Sequence, residues 1–186
     1  KPSPTLAVTN RAAELRAAGK NIIGLGAGEP DFDTPEHIKA AAINALQNGF
    51  TKYTAVDGTP ALKTAIIEKL KGDNDLSYAP NQILVSCGGK QSFFNLSLAL
   101  LNEGDEVVIP APYWVSYPDM VKVADGVPVI VTTTQEQRFK MTPEQLDAAI
   151  TDKTRLVVLN SPSNPTGVAY TRAELVALAD VLKKYP

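Results

Sequence analysis

Residues 80–114 read PNQILVSCGGKQSFFNLSLALLNEGDEVVIPAPYW. This stretch has an apolar run at Ile83–Ser86, two glycines, a helical pattern over Gln91–Leu101 and a second apolar run at Glu106–Ile109. Strand, glycine turn, helix and strand in this order are typical of an α/β layer with buried strands. Further strands are predicted at Ile22–Leu25, Val127–Val131 and Arg155–Leu159. The sequence therefore predicts an α/β fold.

Helix boundaries follow from local signals. Thr142 with Gln145 and Thr171 with Glu174 have the spacing of capping boxes, and Gly19 stands where a left-handed cap ends a helix. The other predicted helices are Thr5–Ala18, Thr34–Gln47, Thr59–Leu70, Trp114–Val123, Pro143–Ile150 and a last one from Thr171 to Pro186.

The composition narrows the possible functions. The 18 Lys and Arg nearly balance the 20 Asp and Glu and are scattered, which argues against a nucleic-acid partner. With one cysteine, Cys87, and one histidine, His37, we expect no disulfide and no metal site. No apolar run approaches the roughly 20 residues that a membrane helix needs. We expect a soluble cytoplasmic protein that does not enter a membrane.

Three segments follow predicted strands, and each has a plain structural alternative. Gly88-Gly89 bares backbone amides before a helix, which suits an anion but also suits an empty tight turn. Trp114 follows the strand that ends near Pro110, so its indole could stack on a flat ligand or lie in the core. The rigid, proline-containing segment 160–167 could present a side-chain amide or form only a stiff turn, and it could contain a cis bond.

A dinucleotide site is rejected. Gly24, Gly26 and Gly28 superficially match a glycine fingerprint, but Glu29-Pro30-Asp31 continues into a loop where the pyrophosphate would need a helix.

Five segments together resemble the class I pyridoxal-phosphate aminotransferases, and more narrowly the bacterial type of aspartate aminotransferase. Their order and spacing match along the whole sequence. The segments are Gly26–Phe32, Tyr53-Thr54, Gly88-Gly89-Lys90, Pro112-Tyr113-Trp114 and Asn160–Gly167.

The resemblance implies a pyridoxal 5'-phosphate site. Gly88, Gly89 and Lys90 would hold the phosphate, Trp114 would stack on the ring, and Asn164 would bind the ring oxygen and the substrate carboxylate. Tyr53 would reach the cofactor of the neighbouring subunit, which implies a homodimer with shared active sites. The resemblance also implies substrate contacts besides Asn164: the Gly28 amide with the α-carboxylate, Trp114, and Lys90 and Thr5 near the side chain of an acidic substrate. Lys1 is a weaker candidate.

The resemblance also implies a fold. It is the three-layer large domain of the fold type I pyridoxal-phosphate transferases, with a mostly parallel sheet, here incomplete. We expect an N-terminal arm and small-domain elements in residues 1–35 and the first part of the large domain in residues 36–186. We expect the catalytic Schiff-base lysine beyond Pro186, so no catalytic residue is assigned. Three of the seven strands should be missing between the strands at Ile83 and Arg155, which predicts a gap in the sheet.

Three functional interpretations remain at this point. The first is an enzyme that moves the amino group of aspartate, or another acidic amino acid, to a 2-oxo acid such as 2-oxoglutarate. Prephenate is an alternative acceptor, and other amino acids are alternative donors. The second is a non-catalytic aminotransferase-like domain of a transcription regulator. The third is a binding domain of 186 residues, whereas we expect a longer parent protein.

Overall fold

The computed structural model describes residues 4–26 and 28–185, with the backbone alone at Pro4 and Thr5. The chain divides into two compact units, Lys1–Thr54 and Ala55–Pro186. Helices of the first unit are α1 (Pro4–Ala17) and α2 (Glu36–Gln47). Elements of the second are α3 (Pro60–Asn74), a short 3-10 turn (Pro80–Gln82), α4 (Gly89–Leu100), β1 (Glu106–Ala111), α5 (Ser116–Val123), β2 (Val127–Thr132), α6 (Pro143–Ala149), β3 (Thr154–Val157) and α7 (Arg172–Leu182).

The sheet in the described part of the chain has three parallel strands in the order β2-β1-β3. Val108 of β1 lies opposite Val129 of β2 and Val157 of β3. The central strand β1 is thus paired on both edges. The chain crosses from β1 to β2 on one side, and β3 lies on the other side of β1, so the winding direction reverses at β1.

Successive side chains of β1 point to opposite faces and meet different helices. Val107 and Ile109 are fully buried with Val121 of α5 on one face. Val108 is fully buried with Leu146 of α6 and Leu178 of α7 on the other. Helices therefore cover both faces of the sheet, which confirms the predicted three-layer α/β architecture.

Two predicted strands are wrong. Ile22–Leu25 and Ile83–Ser86 have no strand partner among the described residues. The Val85 N–H donates instead to the Asp57 carbonyl oxygen at 3.1 Å. An apolar run becomes a strand only when another strand supplies its hydrogen bonds.

Several predicted boundaries also need correction. The strand predicted to reach Leu159 ends at Val157, and the last helix ends at Leu182. The helix expected to start at Trp114 starts at Ser116. The helix expected to start at Thr34 starts at Glu36, and Pro35 occupies its N-cap position without a side-chain cap.

Other local signals are confirmed. Gly19 has φ +79°, and the Lys20 N–H donates to the Leu15 carbonyl oxygen at 3.1 Å in the predicted left-handed cap. Both capping boxes are present, with the Thr142 and Thr171 hydroxyls accepting N–H bonds at 3.2 and 3.3 Å.

Within the described ranges, no helix is long and apolar enough to cross a bilayer, and no three His, Cys, Asp or Glu residues are grouped to hold a metal ion.

Candidate active site

The candidate site lies at the carboxyl ends of β1 and β3, where the winding of the sheet reverses. Loops that leave neighbouring strands at such a point separate and open a crevice, which is where open α/β sheets bind ligands. The turn after β1 carries Trp114, and the loop after β3 carries Asn164. Two of the predicted site residues therefore lie at one edge of the sheet.

The amino end of α4 allows close approach to its backbone. Gly88 is the N-cap residue and has φ +86°, a conformation that favours glycine. A Cβ added to Gly88 or Gly89 would meet no described atom within 4 Å. Among the described residues no side chain caps this helix end, so its first N–H groups and the helix dipole face an open space. This geometry suits an anion such as a phosphate.

Trp114 is half-buried and so is not a core residue. Its ring meets the ring of Tyr117 edge-on, with centroids 5.2 Å apart, and Tyr117 packs against Phe93 at 4.9 Å. Burial raises the pKa of Tyr117, so the phenol stays neutral. The Lys90 Nζ lies 5.0 Å from the centroid of the Trp114 ring, in a cation–π contact. The indole is therefore supported by Tyr117 and lies close to the amino end of α4.

The loop after β3 presents Asn164 to solvent. The Asn164 N–H donates to Asn160 Oδ1 at 2.8 Å, which fixes its backbone. The Ser161–Pro162 and Asn164–Pro165 bonds are cis, as the proline-containing sequence allowed. The side-chain amide of Asn164 forms no hydrogen bond within the described ranges, which leaves it available to a ligand.

One cleft joins these segments. Its volume is about 530 Å³, within the usual range of small-molecule sites. Its polar and aromatic lining includes Gly89, Lys90, Trp114, Asn160 and Asn164. Backbone amides, a cation, an indole face and a side-chain amide thus surround one space. This set of groups fits a flat, anionic ring compound.

The other predicted site residues belong to the first unit. Gly28 is exposed and Tyr53 is fully exposed there. Lys1 and the side chain of Thr5 lie outside the described residues. The roles assigned to these four residues remain predictions.

Sequence reasoning missed the residues that support the site. Tyr117 contacts the indole, Phe93 packs against Tyr117, and Asn160 accepts from the Asn164 N–H. Tyr117 stands three residues after Trp114, and Phe93 three after Lys90. That spacing at the start of each helix is a signal that could have indicated them.

The chain belongs to the aminotransferase class I and II family, whose model matches residues 20–186. Among its relatives, an aspartate/prephenate aminotransferase of Nitrosomonas europaea is 66% identical over the whole chain. An aspartate aminotransferase of Bacillus sp. is 59% identical over 97% of the chain. The chain spans 47% and 46% of the lengths of these two relatives.

Solved structures agree with this assignment. The aspartate aminotransferase of Rhizobium meliloti is 51% identical, with a TM-score of 0.95 over 100% of this chain and 46% of its own. That of Thermus thermophilus with maleate is 50% identical, with a TM-score of 0.94 over 99% of this chain and 48% of its own. The fold of this chain is therefore that of the corresponding part of these aminotransferases.

Proposed function

We propose that the whole protein is a pyridoxal 5'-phosphate-dependent aminotransferase that moves the amino group of aspartate, or another acidic amino acid, to a 2-oxo acid such as 2-oxoglutarate. The observation that carries the proposal is the cleft where the amino end of α4, Trp114 and Asn164 meet. The relatives named aspartate or aspartate/prephenate aminotransferase support the substrate class.

The chemical groups that line the cleft are of the types that would bind this cofactor. The segment Gly88-Gly89-Lys90 would hold its phosphate, with the uncapped amides of Gly89 and Lys90 as donors, and the helix dipole favours this. The Gly88 N–H already donates to the Ser86 carbonyl oxygen at 2.8 Å. Trp114 would stack on the cofactor ring, and the Asn164 side-chain amide would donate to its phenolic oxygen. When bound, the cofactor supplies an electron sink for the reaction, while the protein orients the substrate.

The remaining roles involve other parts of the protein. The Gly28 amide and Asn164 would bind the substrate α-carboxylate, and Tyr53 would reach the cofactor phosphate of a neighbouring subunit in a homodimer. The Schiff-base lysine would lie in the part of the relatives that this chain does not span, and the enzyme would act in the cytoplasm.

Lys90 is the candidate for recognising the side-chain carboxylate, together with Thr5 and, less directly, Lys1. Its ammonium group stands over Trp114, beside the place proposed for the cofactor ring. A cation at this position would favour an acidic substrate over a neutral one. Prephenate also carries carboxylates, so the same cation would serve an aspartate/prephenate enzyme.

A visible absorption spectrum of the full-length protein with pyridoxal phosphate tests the reaction. We expect a band of covalently held cofactor that aspartate converts to the amine form. A spectrum of free cofactor alone, unchanged by aspartate, would contradict the proposal and favour a non-catalytic domain.

Steady-state kinetics of Lys90→Met test the substrate assignment. The KM for aspartate should rise roughly tenfold or more, which corresponds to loss of a charge-assisted contact, while the KM for a neutral amino acid should change little. Lys69→Met, at an exposed position on α3, is the matched control. Faster turnover of neutral or aromatic amino acids than of aspartate in the unmodified enzyme would refute the acidic-substrate assignment.

A further inference from the structure

The loop that carries Asn164 runs from the end of β3 to the start of α7. Asn160 Oδ1 accepts from the Asn164 N–H at 2.8 Å, and the Ser163 N–H donates to the Val168 carbonyl oxygen at 3.0 Å. These bonds join one part of the loop to another. They fix its shape, but they do not fix its position on the sheet.

Tyr170 joins this loop to its surroundings in three ways. Its N–H donates to Ser161 Oγ at 3.0 Å, within the loop. Its hydroxyl accepts from the Met141 N–H at 2.7 Å, in the segment between β2 and α6. Its ring packs against the core cluster that contains Val108 and Leu146. One side chain thus ties the loop to a second segment and to the sheet core.

The second segment is itself anchored next to this contact. Lys140 is buried, and its Nζ lies 2.8 and 2.9 Å from the carboxylate oxygens of Glu174 in the first turn of α7. The Glu174 carboxylate also accepts from the Thr171 N–H at 2.6 Å. The Tyr170 hydroxyl therefore bonds to the backbone of Met141, and the neighbouring Lys140 is held by Glu174. The segment that anchors Tyr170 is thus rigid.

Little free space lies behind Asn164. Tyr170, Phe139 and Asn164 line a cavity of about 20 Å³, which has room for about one water. Burial raises the pKa of Tyr170, so its phenol stays neutral. A loop packed this closely has little freedom to shift unless its anchor is lost.

We infer that Tyr170 is a positioning residue for Asn164: through Met141, Ser161 and the core it holds the side-chain amide at the distance that the cofactor oxygen requires. The inference rests on the proposed function, in which Asn164 donates to that oxygen. Tyr170 does not line the cleft proposed for the cofactor, so it would act only through the position of the loop.

The test uses the full-length protein with bound cofactor and the variants Tyr170→Phe and Asn164→Ala. A hydrogen bond donated to the phenolic oxygen of the cofactor favours the anionic form of that oxygen, so loss of the bond raises the cofactor pKa. This pKa is measured from the absorption spectrum of the bound cofactor as a function of pH. We expect Asn164→Ala to raise this pKa and Tyr170→Phe to raise it by roughly 0.3–1 unit, as for one lost neutral hydrogen bond.

Hydrogen exchange in the cofactor-free protein provides a second readout. The amides of Met141 and Val168 should exchange roughly two- to tenfold faster in Tyr170→Phe, because one hydrogen bond of the anchor is gone. Ser161→Ala, which removes the other polar tie of Tyr170, should act in the same direction. The matched control is Tyr185→Phe, which removes a hydroxyl bond to Asp147 at 2.9 Å elsewhere in the unit. It should change neither readout.

The outcomes separate the two proposals. If Asn164→Ala leaves the cofactor pKa unchanged, the proposed role of Asn164 is wrong. If Asn164→Ala raises it and Tyr170→Phe does not, the role of Asn164 stands and the positioning role of Tyr170 is refuted. A lower unfolding midpoint in Tyr170→Phe with unchanged cofactor pKa and unchanged loop exchange would likewise mean a structural role only.

Discussion

The two units of this chain differ in what becomes of their apolar residues. In the second unit, Val107, Val108 and Ile109 are fully buried because helices cover both faces of β1. In the first unit no described residue is buried, and Leu25 is 92% exposed. Both units carry apolar runs and helical periodicity. The difference shows that periodicity yields a core only where a second layer covers the apolar face.

This contrast predicts an uneven distribution of stability. Regions with few buried apolar contacts open at low free energy, whereas core strands open only when the whole unit unfolds. The second unit also contains the candidate site, so the groups proposed to bind the cofactor are attached to the better-packed part of the chain.

The largest effect should come from the central strand. Ile109→Ala should lower the free energy of unfolding by about 2–5 kcal/mol, because it removes a fully buried side chain and leaves a cavity. Ile38→Ala is the matched control on α2, where the side chain is 50% exposed, and it should change stability by no more than about 0.5 kcal/mol. Urea unfolding measures both. Equal losses would show that the contrast between the units is false.

A second test asks how firmly residues outside the sheet are packed in the second unit. Gly58 has φ +109°, and a Cβ there would stand 2.5 Å from Val85 Cγ2. Gly58→Ala should cost about 1–3 kcal/mol through strain and overlap. In the double variant Gly58→Ala/Val85→Ala, the loss in free energy of unfolding should be smaller than the sum of the losses in the two single variants. Full additivity in urea unfolding would mean that Gly58 and Val85 are not in contact.

A third test compares one carboxylate from each unit by varying pH. The pKa of Glu174 is lowered to about 2 from 4.5, first by its hydrogen bonds with Lys140. Because the folded pKa is the lower one, the stabilisation is complete above about pH 4.5 and is lost as pH falls toward 2. The difference in urea midpoint between the unmodified chain and Glu174→Gln should therefore shrink between pH 6 and pH 3.

The control for this test lies in the first unit. Hydrogen bonds with Lys39 lower the pKa of Asp33 in the same direction, but the Asp33 side chain is 81% exposed and more strongly screened by solvent. Asp33→Asn should show a smaller midpoint difference at both pH values. An equal or larger dependence on pH in Asp33→Asn would contradict the proposed difference between the units.

How well a feature could be predicted from the sequence depends on how far apart along the chain the interacting residues lie. The caps at Gly19, Thr142 and Thr171 depend on residues a few positions apart, and they are confirmed. The strand predicted at Ile83 depended on a partner far along the chain, and it is wrong.

The candidate site shows the same limit. Trp114 and Asn164 could be selected because each follows a strand, and both line the cleft. The supporting contact between Tyr117 and Phe93, and that between Tyr170 and Met141, arise from packing between separate segments. The spacing after Trp114 and Lys90 could indicate Tyr117 and Phe93 as candidates. Local patterns do not encode which separate segments meet, so the contacts themselves could not be predicted from the sequence.

The smallest predicted effect is a gain in stability, and it allows two glycines of the second unit to be compared. Gly72 lies inside α3, and a Cβ there would meet no described atom within 4 Å. Gly72→Ala should raise the free energy of unfolding by about 0.5–1 kcal/mol, because alanine loses less conformational freedom in a helix. The chemical change is the same as in Gly58→Ala. If urea unfolding shows a loss of stability at Gly58 and a gain at Gly72, the loss at Gly58 arises from its backbone angle and its contact with Val85. A loss at Gly72 would instead mean that this face of α3 is covered by something that leaves no room for a methyl group.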